Sequence, residues 1–137
     1  MYQTTLTVET HGEGTVRDLT AQVQAAVAAS GCENGLVSVF VTGSTAAVTT
    51  IEYEPGVLED LKRALSVVAP DNLPYAHDRA WGDGNGRSHV KAALVGPSLS
   101  LPVIAGRLAA GTWQQIVLLE LDVRPHRKRS VHLTVVG

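Results

Sequence analysis

The segment from Trp113 to Val123 leaves this chain the least freedom. Its centre, Ile116-Val117-Leu118-Leu119, is an unbroken apolar run, and Gly111 and Pro125 bound it. A run of that kind and length reads as a central strand, and a central strand presents backbone N–H and C=O groups that neighbours must satisfy on both edges. The rest of the chain supplies candidates. Tyr2 to Val8 and Arg129 to Val136 alternate as half-buried strands do, and Leu36 to Val41, Ala46 to Tyr53 and Ser98 to Ile104 are further β-rich runs. Pro102 marks the last of these as an edge or a bulge. Thr42-Gly43-Ser44 reads as a hairpin connection between its neighbours.

Two longer segments carry helical periodicity. Thr15 reads as a helix cap with Asp18 three residues on, and Val16, Leu19, Val23, Ala26 and Val27 then share one face until Gly31. Leu58, Leu61, Leu65 and Val68 form a second stripe, which Ala69-Pro70 ends because a residue before proline avoids the helical region. A shorter helix from Ser88 to Val95, closed by Gly96, is also expected. Strands outnumber helices and are joined mostly by short turns. The expectation is a single α+β domain over residues 1–137, a largely antiparallel sheet with two main helices packed on one face.

Composition narrows the function classes. At 137 residues and 45% hydrophobic, the chain can build one core and is not a disordered tail. A net charge of −2 lacks the basic excess that long nucleic acid demands. No run approaches the roughly 20 apolar residues of a membrane span. The N-terminus shows no signal-peptide pattern, and the lone Cys32 allows no intrachain disulfide. These features predict a cytoplasmic protein without a membrane partner.

The chemistry concentrates between Pro70 and Lys91. Pro70 to Gly86 has no periodicity and exceeds the usual length of a connection, a combination found in functional or disordered loops; Tyr75, Trp81 and two prolines argue for order. Tyr75, His77, Asp78, Asp83, Asn85, Ser88, His89 and Lys91 follow closely. His77 and His89 are twelve apart, so only a folded loop can pair them, as metal ligands or proton carriers with Asp78 or Asp83 in support. The same two residues also read as ordinary hydrogen-bonded loop histidines. Gly82-Asp83-Gly84-Asn85-Gly86 before a helix start could cradle an anion on backbone N–H groups, or be a tight turn. Glu120, inside an apolar strand and on the parity of Gln114 and Asp122, must be paired or face a polar cleft. Arg107 could clamp an anion or pair with an acid. His11, His126 and His132 have no constellation around them.

Taken in order, several segments resemble the YjbQ family: Glu33-Asn34-Gly35, Ser44-Thr45-Ala46-Ala47-Val48, Tyr75-x-His77-Asp78, Gly82-Asp83-Gly84-Asn85-Gly86-x-Ser88-His89, Lys91-Ala92, Leu101-Pro102-Val103, Gly106-Arg107-Leu108, Gly111-Thr112-Trp113-Gln114 and Glu120. The family is described as secondary thiamine-phosphate synthases. The resemblance implies a small α+β homotrimer that joins a pyrimidine diphosphate to a thiazole phosphate and releases pyrophosphate. It implies a divalent metal, zinc or magnesium, at His77 and His89, and catalytic roles for His77, His89, Asp83 and Glu120. A phosphorylated or anionic ligand would be held by Gly84, Asn85, Gly86, Ser88, Lys91, Arg107, Ser44 and Thr45. Many members carry a histidine where this chain has Gly43. Two other functions therefore stand beside the synthase: a non-catalytic oligomeric binder of an anionic metabolite or metal, and a metal-dependent hydrolase.

Overall fold

The computed structural model describes residues 1–137. Its elements are β1 (Tyr2–Thr10), β2 (Val16–Asp18), α1 (Thr20–Ser30), β3 (Asn34–Val41), β4 (Ala46–Ile51), α2 (Pro55–Val68), α3 (Ala76–Trp81), α4 (Gly86–Val95), β5 (Ser98–Ile104), β6 (Arg107–Leu108), β7 (Gln115–Glu120) and β8 (Arg127–Val136). All strand pairings are antiparallel, so the α+β architecture expected from the strand-rich pattern is the one the chain adopts. The strands divide between two sheets, a five-stranded one ordered β1-β8-β3-β5-β6 and a three-stranded one ordered β2-β7-β4. No helix is long and apolar enough to cross a membrane.

The strand β7 shows why its sequence carries no alternation. It is central in the small sheet, and both of its faces are covered. Ile116 and Leu118 enter the main core with α1 and the large sheet, while Val117 and Leu119 enter a second, smaller core with Ala47 and Ala92. A strand buried on both faces reads as a continuous apolar run. Glu120 falls on the main-core face, at the end of the strand, where the two sheets meet.

Three local expectations need correction. Val16 to Asp18 does not open a helix; it pairs with β7, Val16 opposite Leu119. The helix α1 starts at Thr20, where Asp18 accepts hydrogen bonds from the Thr20 N–H (2.9 Å) and hydroxyl (2.6 Å). Thr42-Gly43-Ser44 is not a hairpin: β3 pairs with β5 and β8, and β4 with β7, so this turn carries the chain from one sheet to the other. The strand expected from Trp113 begins at Gln115, and Trp113 is exposed in the preceding turn.

The helix α2 covers the second core loosely. Glu54 caps it by accepting from Gly56 N–H (2.7 Å) and Val57 N–H (2.8 Å), bonds that hold its carboxyl below the usual range, and Pro55 sits where the helix has a spare N–H. Leu58, Leu61 and Leu65 face inward, yet no residue of α2 is fully buried. A cavity of about 410 Å³ remains between this helix and the small sheet.

Candidate functional site

The long connection after α2 folds into α3 and the first turn of α4. The Tyr75 hydroxyl donates to the Pro70 carbonyl (2.7 Å) and ties the ends of its first half. Gly86 packs on Tyr75 so closely that a Cβ there would lie 2.4 Å from the tyrosine Cβ, so no larger residue fits without moving the loop. Asp78 Oδ1 accepts the Gly86 N–H (2.9 Å), and Asp83 Oδ1 accepts the Asn85 N–H (3.0 Å). These bonds turn the chain back on itself and bring His77 against His89, ring centroids 4.5 Å apart at 60°. The twelve-residue separation is closed as a folded loop requires.

His77 Nε2 lies 3.2 Å from Asp83 Oδ1 and 3.4 Å from Oδ2. The Asn85 N–H, joined by His77, holds the Asp83 carboxyl below the usual carboxylate range. Ligand atoms of His77, Asp78 and Asp83 lie within 4.8 Å of one another, and His77 and Asp78 are half-buried. One imidazole and two carboxylates, with a second imidazole alongside, form a borderline nitrogen–oxygen donor set of the kind zinc and similar divalent ions take.

Asn85 connects this loop to a buried polar network between the sheets. Its amide donates to Asp122 Oδ2 (3.4 Å), and its oxygen accepts the Val123 N–H (3.1 Å). Asp122 Oδ2 also accepts from Thr45 (2.9 Å) and Arg127 (2.7 Å). Glu120 Oε1 accepts from Thr10 (2.6 Å) and Arg129 Nε (2.8 Å), while Oε2 takes a second bond from Arg129 and the Asp122 N–H (3.1 Å). Arg129 also donates to Thr45 (2.8 Å). Glu120 and Arg129 are both buried to within 2%. Burial pushes the Glu120 carboxyl up, but the Arg129 and Thr10 hydrogen bonds outweigh it and leave the group below its ordinary range. Asp122 follows the same balance: burial raises it, and the Arg124 N–H, Thr45 and Arg127 prevail. Both oxygens of Glu120 are occupied, so this carboxylate closes the joint between the sheets; no free oxygen faces a ligand.

The remaining candidates scatter. Thr45 belongs to the network, and Ser44 is exposed beside it. Ser88 does not cap α4, which begins at Gly86; its Oγ is buried without a hydrogen-bond partner. Lys91 is buried on the inner face of α4. Arg107 is exposed on β6, which pairs with β5 and packs on α1. Pairings across long separations had no sequence signal. Arg87 makes a bidentate pair with Glu13 (3.0 and 2.8 Å), and His11 Nδ1 lies 3.3 Å from His126 Nδ1. The distances in sequence, 74 and 115 residues, put both beyond any local pattern.

Gly43 shows what the missing histidine would meet. Its φ is +126°, in a region L side chains rarely adopt, and a Cβ would stand 2.7 Å from Arg129 Nη1. Gly43→His is therefore expected to destabilise the fold by about 1–3 kcal/mol through backbone strain and displacement of the guanidinium. Urea denaturation measures it; an unchanged midpoint would show that the turn repacks freely.

Residues 4–137 match the family model described as UPF0047 protein YjbQ-like. A UPF0047 protein of Archaeoglobus fulgidus is 39% identical over 126 residues, covering 92% of this chain and 95% of its own. The crystal structure of a hypothetical protein from Aeropyrum pernix K1 superposes with a TM-score of 0.90 at 35% identity, covering 100% of this chain and 99% of that one. A Clostridium acetobutylicum protein of the yjbq/upf0047 family, also a crystal structure, gives 0.86 at 32% identity over 97% and 99%.

Proposed function

The chain belongs to the YjbQ-like UPF0047 family, and from that premise we propose that it binds a divalent metal at the His77 loop and acts there on a small phosphorylated metabolite. One observation carries the reading: donor atoms of His77, Asp78 and Asp83 converge within 4.8 Å while His89 packs edge-on against His77. The imidazole content favours zinc over magnesium. The specific reaction inferred from the resemblance is the thiamine-phosphate synthase transfer. A carbon–nitrogen bond forms at the thiazole nitrogen, the carbon–oxygen bond to the diphosphate breaks, and pyrophosphate leaves with its electron pair. A bound metal would supply positive charge to that leaving group.

The chain's own groups set the geometry. The Gly86 and Asn85 N–H groups fix the two carboxylates, and Asp83 orients the His77 ring. His89, beside it, is the group in reach to carry a proton. The resemblance further suggests a homotrimer, whose contacts would cover the exposed Trp81 and Trp113.

Metal content after incubation with zinc and dialysis, measured by inductively coupled plasma mass spectrometry, tests the site. Wild type is expected to hold near-stoichiometric metal. His77→Ala and His89→Ala are expected to weaken binding at least roughly tenfold while leaving thermal stability nearly unchanged, because neither side chain belongs to either core. Wild-type metal content in both variants would remove the assignment. Pyrophosphate release from a pyrimidine diphosphate with thiazole phosphate then tests the transfer. A second reading, binding without turnover, draws on Gly43, where the expected third imidazole is absent. Phosphate release from simple phosphoesters with zinc would instead mark the protein as a hydrolase.

A further inference from the structure

We infer that the cavity between α2 and the small sheet is a second ligand site, distinct from the His77, Asp78 and Asp83 cluster, that takes a small amphipathic anion: an apolar body no larger than one aromatic ring or a short acyl chain, with a single phosphate or carboxylate head. The cavity, about 410 Å³, falls in the size range of small-molecule sites. Its walls divide by chemistry. Leu58, Leu61 and Leu65 of α2 face Val16, Leu119 and Leu121, and these make the apolar body of the space. The Lys91 ammonium lines the same space, and the rest of its polar wall is Lys62 with the carboxylates of Glu13, Glu59, Asp71 and Glu120.

Lys91 is the residue that asks for a ligand. Its side chain is 6% exposed, and its one ionic neighbour is Glu13 Oε1 at 3.9 Å. That distance is too long for a hydrogen bond. Both Glu13 oxygens are already taken by the bidentate pair with Arg87, which Asp71 joins at 3.1 Å. Glu120, at the far wall, is consumed by Arg129. Buried ammonium groups are ordinarily paired and hydrogen-bonded, because desolvation is costly otherwise. Here three donors have no acceptor in contact, and the space beside them is open. One turn earlier on the same buried face, the Ser88 hydroxyl is also without a partner. An anionic head at Lys91, with its body against the three leucines, satisfies both halves of the site. The looseness of α2, which buries none of its residues completely, leaves room for entry.

Titration with phenyl phosphate, phenylacetate and neutral benzyl alcohol tests this, in the presence of a chelator so that the metal loop takes no part. Calorimetry is expected to show binding of at least one anion, with Lys91→Met weakening it at least roughly tenfold and His77→Ala leaving it unchanged. Preference for phenyl phosphate would assign the head as phosphate, and preference for phenylacetate would assign it as carboxylate. Amide chemical-shift changes in the wild-type protein, centred on Leu61, Leu65 and Leu119, give the same answer even if Lys91→Met fails to fold. The inference is overturned if neither anion binds at about 10 mM, if benzyl alcohol binds as well as the anions, or if Lys91→Met binds as tightly as wild type. Loss of binding in His77→Ala would overturn it too, by moving the ligand to the metal loop.

Discussion

Arg129→Met is expected to lower the unfolding free energy by about 3–5 kcal/mol, a large fraction of the 5–15 kcal/mol typical of a domain. The guanidinium is 2% exposed and supplies two of the bonds that hold Glu120, which has no exposure at all. Without it, a buried carboxylate keeps only the Thr10 hydroxyl and the Asp122 N–H, and Thr45 loses a donor. The cost comes from the charge left behind rather than from the worth of the pair. Glu120→Leu combined with Arg129→Met therefore separates the two: the double variant is expected to recover much of the loss, since no unpaired charge remains. Urea denaturation of the three proteins gives the comparison. A single-variant loss under about 1 kcal/mol would mean that water or a shifted lysine reaches Glu120, and the joint between the sheets is not closed.

This joint was half visible in the sequence. A carboxylate among Ile116, Val117, Leu118 and Leu119 has to be paired, and that much follows from desolvation alone. Its partner, Arg129, lies near the start of the next strand, among three consecutive basic residues. Nothing in Arg127-Lys128-Arg129 distinguishes the residue that turns inward until β8 is placed between β1 and β3. The alternating strands at the two ends of the chain were legible because each has one face on the core. The division into two sheets was not. A three-residue turn such as Thr42-Gly43-Ser44 joins strands in a hairpin or hands the chain to another sheet, and only the distant partners β5, β7 and β8 decide. The start of α1 failed for the same reason. Val16 fits a helical stripe, but the edge of β7 offers it backbone hydrogen bonds, and tertiary pairing overrides a weak local preference.

The site followed the same rule. His77, Asp83 and His89 could be gathered from sequence because one folded loop carries them all. The Lys91 cavity could not, because its shape depends on how far α2 stands off the sheet, and its electrostatics depend on Arg87 claiming Glu13. In the sequence, Lys91 stands out as an anion ligand only through the family resemblance. The physical reason, an ammonium with no acceptor in contact, exists only in three dimensions.

Acidification is expected to unfold the protein by way of the same network. Glu120 and Asp122 both titrate below their ordinary values of 4.5 and 3.8 in the folded chain, the hydrogen bonds of Arg129, Thr10, Thr45 and the Arg124 N–H having outweighed burial. Depressed carboxylate values mean that the unfolded chain binds more protons than the folded one in that window. Stability is then fully present above the unfolded values and is lost as pH falls through the folded ones. The urea midpoint should be flat with pH above about 5 and fall steadily below about 4.5. Asp83 and Glu54 are also lowered, but they stand in solvent, where screening leaves them little leverage. The Glu120→Leu, Arg129→Met double variant isolates the buried contribution: its profile should fall less steeply, with Asp122 retaining the rest. A wild-type midpoint that stays level to pH 3, or a double variant with the wild-type slope, would place the acid sensitivity outside the network and leave the Glu120–Arg129 pair as a packing feature without a role in pH response.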